Sequence, residues 1–192
     1  GTASTTAVAA TNVGTATIPA GAGTLAATNY DFANLTDGTL TIDKAHLTVT
    51  ADNQSRLYGQ ANPSLTQTIS GFVNNENLAS SGVSGTALGS TSATATTNVG
   101  SAAIVASTSG LSAGNYDFTA SSTDGTLTID KAHLTVTADN KTRLYGQANP
   151  TLTTTVSGFV NGESASTAAG FAGAGTASTT AVAATNVGTA TI

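Results

Sequence analysis

Residues 36–53 read Thr36-Asp37-Gly38-Thr39-Leu40-Thr41-Ile42-Asp43-Lys44-Ala45-His46-Leu47-Thr48-Val49-Thr50-Ala51-Asp52-Asn53. Small polar and apolar residues alternate along this stretch, the period-two pattern of strands with one buried face. Leu40 and Ile42 form the inward set before Asp43, and Ala45, Leu47 and Val49 form it after Lys44. The inward positions change from even to odd at Asp43-Lys44, so the facing inverts there, as it does where a chain leaves one folding unit and enters the next. Asp37-Gly38 and Asp52-Asn53 are turn pairs, because Asp, Asn and Gly accept positive φ.

The stretch returns further along the chain. Thr123 to Asp130 repeats Thr36 to Asp43, Lys131 to Asn140 repeats Lys44 to Asn53, Arg143 to Pro150 repeats Arg56 to Pro63, and Ser157 to Asn161 repeats Ser70 to Asn74, each 87 residues on. Asn29-Tyr30-Asp31-Phe32 returns at Asn115 after 86 residues, so the slips fall between blocks, where loops absorb them. Residues 44–130 are therefore one complete module, 1–43 the C-terminal part of a module, and 131–192 the N-terminal part of the next. Residues 1–18 and 175–192 are identical, which reads as a window on a longer array whose open ends are completed by continuing repeats or by neighbouring copies. The two 18-residue copies are expected to share one conformation.

Residues 65–70, 93–97, 101–106 and 115–120 carry further strand patterns, and Tyr58-Gly59 and Asn62-Pro63 further turns; residues 75–80 offer one short helical turn. The expected fold is all-β: tandem sandwich-like modules of about 87 residues, Ig-like or alternatively β-grasp-like.

Composition narrows the function. Hydrophobic residues make up 39% of the 192, much of that Ala, with 5% aromatic and 8% charged, so any core is thin. Cys, Met and Trp are absent, which removes disulfides, thiolate metal sites and thiol nucleophiles. The net charge is −5 with the bases scattered, a poor surface for nucleic acid or anionic membranes. No run of about 18 apolar residues exists, so membrane insertion is not expected.

Candidate chemistry is sparse. His46 and His133, the two histidines, occupy the same outward strand position, and no G-x-S-x-G accompanies them. Asp43, Asp52 and Glu76 lie on separate strands or loops, not as the carboxylate pair of a glycosidase. No catalytic, cofactor-binding or metal residue is assigned, and no enzyme activity is expected. Calcium is the alternative cofactor, with oxygen ligands from Asp43 and Asp130 at the module borders and Asp52 and Asp139 a strand away; no D-x-D-x-D-G loop supports it, and an Asp43-Lys44 charge pair or turn chemistry accounts for these residues. Arg56 and Tyr58 read either as recognition residues or as structural ones, Tyr58 packing across its module with the hydroxyl satisfied near the surface. The sequons at Asn34, Asn53 and Asn140 permit N-glycosylation only in a host with that machinery, Gly21-Ala22-Gly23 lacks the Lys and helix of a phosphate loop and reads as a turn, and Thr pairs such as Thr48/Thr50 belong to a repeat too long for stacked ice-binding coils.

The ordered blocks KAHLTVTADN, RLYGQANP, SGFVN, NVG, NYDF and GTLTIDKA resemble the MBG-type repeats, mostly β and glycine-rich, of very large bacterial surface adhesins and filamentous extracellular proteins. The resemblance covers the whole chain. It implies a segment at the bacterial cell surface or in a secreted matrix, a fibre or adhesin stalk that gives reach and cohesion and associates end to end, with no catalytic residues to carry over. The chain departs from the pattern where Ala102 and Ala190 follow the NVG turn in place of an aromatic, where Asn75-Glu76 replaces the Gly162-Glu163 of the next copy, and in the unusual likeness of its copies. The alternative is a glycan- or protein-binding adhesin module, against which stand the absence of Trp and the identical blocks around Tyr58 and Tyr145.

Overall fold

A computed structural model describes residues 3–118 and 122–192. Among these residues the chain is all-β, with no helix and twelve strands: β1 Gly14–Ile18, β2 Gly38–Ile42, β3 Ala45–His46, β4 Thr48–Ala51, β5 Gln54–Leu57, β6 Gln67–Ser70, β7 Gly100–Ile104, β8 Tyr116–Asp117, β9 Ser122–Thr123, β10 Gly125–Asp130, β11 Thr135–Ala138 and β12 Thr154–Ser157. They form five small sheets, ordered β1-β2, β3-β8, β6-β4-β9, β5-β10-β7 and β11-β12.

The Lys44 to Ala51 run lies at the centre of a mixed arrangement. β4 pairs antiparallel with β6, Val49 opposite Ile69, and parallel with β9, Val49 opposite Ser122. β3 pairs parallel with β8, Ala45 opposite Tyr116. Only Leu47 separates β3 from β4, and its N–H still donates to the Asp117 carbonyl at 2.9 Å. The alternation read from the sequence holds, with Leu47, Val49 and Ala51 buried on one side and Thr48 and Thr50 half-buried on the other.

The chain divides into two compact units. One comprises Gly1–Gln54, Ser64–Ser92 and Ala102–Leu127, and its buried apolar residues are Leu47, Val49, Ala51, Ile104, Ala106, Tyr116 and Leu127. Gly125 opens β10 against the backbone of Ala51, where a Cβ would come within 2.5 Å of the Ala51 carbonyl oxygen; Asp-Gly, expected as a turn, here leads directly into a strand, and its glycine is a packing requirement. The other unit comprises Ser55–Pro63, Ala93–Ser101 and Thr128–Ile192. It buries Arg56, Ala93 and Ile129, and its β11–β12 pair places Val136 opposite Val156.

Identical sequence meets different environments in the two copies. Leu127 is fully buried in β10, which lies between β5 and β7, whereas its copy Leu40 is exposed in β2, which pairs with β1 alone. Val49 is buried and its copy Val136 exposed. The alternation fixes which side chains can face a core; the neighbouring strands decide whether a core is there.

Several local expectations are corrected. Residues 93–97 form a turn, not a strand: the Thr97 N–H donates to the Thr94 carbonyl at 2.9 Å and the Thr94 N–H to Thr97 Oγ1 at 2.8 Å. The Thr hydroxyl satisfies the backbone locally in place of a strand partner. The short turn expected at residues 75–80 is found as one isolated turn from Asn77, whose carbonyl accepts the Ser80 N–H at 3.1 Å and the Ser81 N–H at 2.9 Å, with no assigned helix. The strands expected at 65–70 and 101–106 are found as β6 and β7, and that at 115–120 contributes β8, with residues 119 and 120 outside the described residues. Lys44 makes no pair with Asp43; its ammonium donates to the Ala113 carbonyl at 2.9 Å. The two 18-residue copies keep the same local bonds, Thr5 Oγ1 to the Thr17 carbonyl at 3.0 Å and Thr179 Oγ1 to the Thr191 carbonyl at 2.8 Å. Only the first forms a strand, because only Gly14–Ile18 has a partner, β2.

Candidate functional site

β5 ends in Arg56-Leu57, after which the chain turns at Tyr58-Gly59 and returns through Asn62-Pro63. Arg56 is 6% exposed. Its Nε donates to Asn62 Oδ1 at 2.8 Å, Nη1 to the Leu57 carbonyl at 3.1 Å and Nη2 to the Thr94 carbonyl at 2.5 Å. Asn62 Nδ2 donates to the Ala93 carbonyl at 2.7 Å. The planar guanidinium fork suits this task, since one side chain satisfies three acceptors in fixed directions. The clasp fastens the Tyr-Gly turn to the Thr94–Thr97 turn of its own repeat, with Gly59 N–H donating to the Ala95 carbonyl at 3.1 Å.

The clasp is made twice. Arg143 Nε donates to Asn149 Oδ1 at 2.8 Å, Nη1 to the Leu144 carbonyl at 3.3 Å and Nη2 to the Val182 carbonyl, while Asn149 Nδ2 donates to the Ala181 carbonyl at 2.7 Å. Arg56 is thus a buried donor that ties the two turns of its repeat together. The spacing Arg-x5-Asn, present in both copies, is the sequence signal that marks it.

Contacts between successive repeats lie alongside. Tyr58 donates its hydroxyl to Glu163 Oε1 at 2.7 Å, so the hydroxyl is satisfied as expected, but by the following repeat. Asn161 Nδ2 donates to the Ala95 carbonyl at 3.2 Å, and Asn74 Nδ2, its copy, donates to the Ala9 carbonyl at 3.1 Å. Gly59, at φ 86°, sits so close to Val160 that a Cβ would fall 2.4 Å from its Cγ2. Asn161 and Gly162 have φ of 53° and 73°, and Asn74 and Asn75 have 55° and 60°, so the Asn-for-Gly departure preserves a left-handed turn that Asn tolerates.

Glu76, the copy of Glu163, accepts from the hydroxyl of Tyr116 at 2.6 Å. Tyr116 is 2% exposed and meets Phe72 edge to face with ring centroids 5.8 Å apart. The bond to Glu76, with burial adding to it, holds the Tyr116 hydroxyl above its ordinary pKa of 10.0.

Asp52 and Asp139, two of the four carboxylates considered for calcium, accept from threonine hydroxyls. Asp52 accepts from the hydroxyls of Thr66 at 2.7 Å and Thr68 at 2.8 Å, which draw its pKa below the usual 3.8. Asp139 does the same with Thr153 and Thr155. Among the described residues, no group of three or more His, Cys, Asp or Glu side chains is placed to hold a metal ion. His46 is exposed, with Nδ1 2.6 Å from Asp117 Oδ1, and His133 is exposed as well. Asn53 Oδ1 accepts the Thr126 N–H at 2.7 Å, so that sequon side chain bonds to the backbone at the start of β10.

An all-β chain that repeats one clasp and one inter-repeat contact is a tandem-repeat protein in class. It belongs to the MBG domain family, YGX type, which matches residues 47–128 and 134–192; Tyr58-Gly59 and Tyr145-Gly146 lie within the matched segments. MBG domains occur in surface-associated, adhesin-like proteins. No curated protein and no solved structure matches the chain. No helix among the described residues is long and apolar enough to cross a membrane.

Proposed function

We propose that this chain is a structural segment of a repetitive extracellular bacterial fibre or adhesin stalk, giving reach and cohesion at the cell surface or in biofilm matrix. The observation that carries the reading is the inter-repeat contact made twice, Asn74 to the Ala9 carbonyl and Asn161 to the Ala95 carbonyl. Repeats that fasten to one another through the same side chains build a linear structure whose stability is a sum of units and interfaces. The strongest donors, Arg56 and Arg143, are directed at backbone carbonyls and not at a ligand. In this reading the protein is not an enzyme and needs no cofactor, calcium included, and its partners are further repeats or identical copies joined end to end.

Pulling single chains between their termini tests it. The complete module should give a distinct rupture, releasing 87 residues, or about 300 Å of extended chain. A chain that extends with no resolved rupture would overturn the stalk reading. The alternative, a glycan- or protein-binding module, would be favoured by specific retention on a glycan or protein array that Tyr145→Ala abolishes, since Tyr145 is 64% exposed.

A further inference from the structure

Two copies of one turn differ in a single residue. Asn74-Asn75 and Asn161-Gly162 both follow Ser-Gly-Phe-Val and precede a glutamate, Glu76 or Glu163. Both pairs are left-handed, with φ of 55° and 60° in the first and 53° and 73° in the second. The glutamate N–H closes each turn onto the valine carbonyl, Glu76 to Val73 at 3.0 Å and Glu163 to Val160 at 2.9 Å, so the nitrogen between them is not the one that closes it. The first Asn of each pair gives its side-chain amide to the preceding repeat, Asn74 to the Ala9 carbonyl and Asn161 to the Ala95 carbonyl. Both asparagines are exposed. The difference lies in the residue that follows: Asn161-Gly162 is the one Asn-Gly pair in the chain. Gly162 is exposed, and a Cβ built on it would meet nothing within 4 Å.

We infer that Asn161 is a site of spontaneous deamidation, and that its conversion releases the Asn161–Ala95 repeat contact while the Asn74–Ala9 contact endures. The Gly162 nitrogen attacks Asn161 Cγ. A new C–N bond closes a succinimide ring, the Cγ–Nδ2 bond breaks, and Nδ2 leaves as ammonia with the proton that Gly162 gives up. Water then opens the ring, yielding aspartate when the bond from Cγ to the Gly162 nitrogen breaks and isoaspartate when the bond from the Asn161 carbonyl carbon breaks. Either product carries a carboxylate, an acceptor only, where Nδ2 donated. Oxygen then faces the Ala95 carbonyl oxygen, and the contact turns from attraction to repulsion. Isoaspartate also adds a methylene to the main chain of the turn. Glycine is what makes the step fast, because without a Cβ its nitrogen is open to approach and its backbone rotates freely to bring that nitrogen onto Cγ. Asn75 puts a Cβ in the way, so Asn74 does the same structural work with a protected amide.

Peptide mapping by mass spectrometry tests it, on the full chain held in mildly alkaline buffer and sampled over time. Asn161 should convert about tenfold or more faster than Asn74, the advantage of a glycine neighbour. An isoaspartyl methyltransferase should label the aged chain at position 161 and leave the fresh chain unlabelled. Gly162→Asn, which installs the turn of the other copy, should remove the fast conversion, and Asn75→Gly should create one at Asn74; Asn tolerates the left-handed backbone at both places. Equal rates at the two asparagines, or a fast phase that survives Gly162→Asn, would overturn the site. Asn161→Asp, made directly, reads the consequence. It should lower the melting temperature by about 2–4 °C, the shift that one lost hydrogen bond gives in a chain of this size, and the aged wild type should show the same fall. Unchanged melting in Asn161→Asp would overturn the loss of the contact. Circular dichroism unchanged from wild type at ambient temperature establishes that each variant folds. The site is read from peptide masses and the stalk proposal from pulling, so one can fail without the other.

Discussion

Tyr58 and Glu163 are 105 residues apart and joined by an O–H···O bond of 2.7 Å. Glu76, at the same repeat position as Glu163, receives its hydroxyl from Tyr116. One acidic position thus accepts a tyrosine from its own repeat in one copy and from the preceding repeat in the other. The same short block, Phe-Val-Asn-x-Glu, serves both the module core and the junction.

Tyr58→Phe should lower stability by about 1.5–3 kcal/mol, the net worth of a hydrogen bond to a charged acceptor. Tyr145→Phe, at a position 64% exposed, should leave it unchanged. Urea unfolding of the two variants side by side gives the comparison.

Arg56→Ala leaves three acceptors without their donor in a site 6% exposed and should destabilise by about 3 kcal/mol. Lys cannot reproduce the fork, so Arg56→Lys should recover only part of the loss. Arg143 makes the same bonds half-buried, where water replaces the lost donor, and Arg143→Ala should cost about 1 kcal/mol. Equal losses at the two positions would contradict the burial argument.

Gly59 and Gly146 have φ of 86° and 85°, so each Ala substitution carries the same backbone cost, about 1 kcal/mol. Gly146 has open space around it, whereas Gly59 faces Val160. Gly59→Ala should therefore be clearly the more damaging in thermal unfolding, and Val160→Ala should relieve part of its excess.

Leu127→Ala should cost about 2–5 kcal/mol as a full core truncation, and Leu40→Ala less than about 1 kcal/mol in the isolated chain. Differential scanning calorimetry at low protein concentration separates the two.

The pH dependence has two limbs. Asp52 and Asp139 titrate below the usual carboxylate value of 3.8, so their stabilisation is present above that pH and is lost as pH falls through their folded pKa values. Tyr116 titrates above 10.0, so its contribution is present below pH 10.0 and is lost as pH rises through the folded value. Asp52→Asn with Asp139→Asn should flatten the acid limb, and Tyr116→Phe the alkaline limb, in stability measured across pH.

Alternation in the sequence identified the side chains that face a core, Leu47 and Val49 among them, because strand periodicity is local. It did not reveal that β4 has a parallel partner in β9, since the pattern of one strand carries no address for its neighbour. The run at 93–97 alternates like a strand, yet Thr97 closes it into a turn through a bond that composition alone does not signal. The sequence left Arg56 open between recognition and structure because its acceptors are the carbonyls of Leu57 and Thr94, and backbone acceptors leave no mark in a sequence. The acceptor role of Glu163 was equally hidden, for its donor lies in another repeat.

The parallel pairing of β3 with β8 and β4 with β9 sets how a module would carry load. The first strands of the module run alongside strands that lead directly into its last one, β10. Tension applied at the two ends of the module pulls these parallel neighbours in opposite directions along their common axis. Their hydrogen bonds are then sheared together instead of being peeled one at a time, so rupture requires several to fail at once. In the proposed stalk, this pairing would make the module resist along the line of the chain.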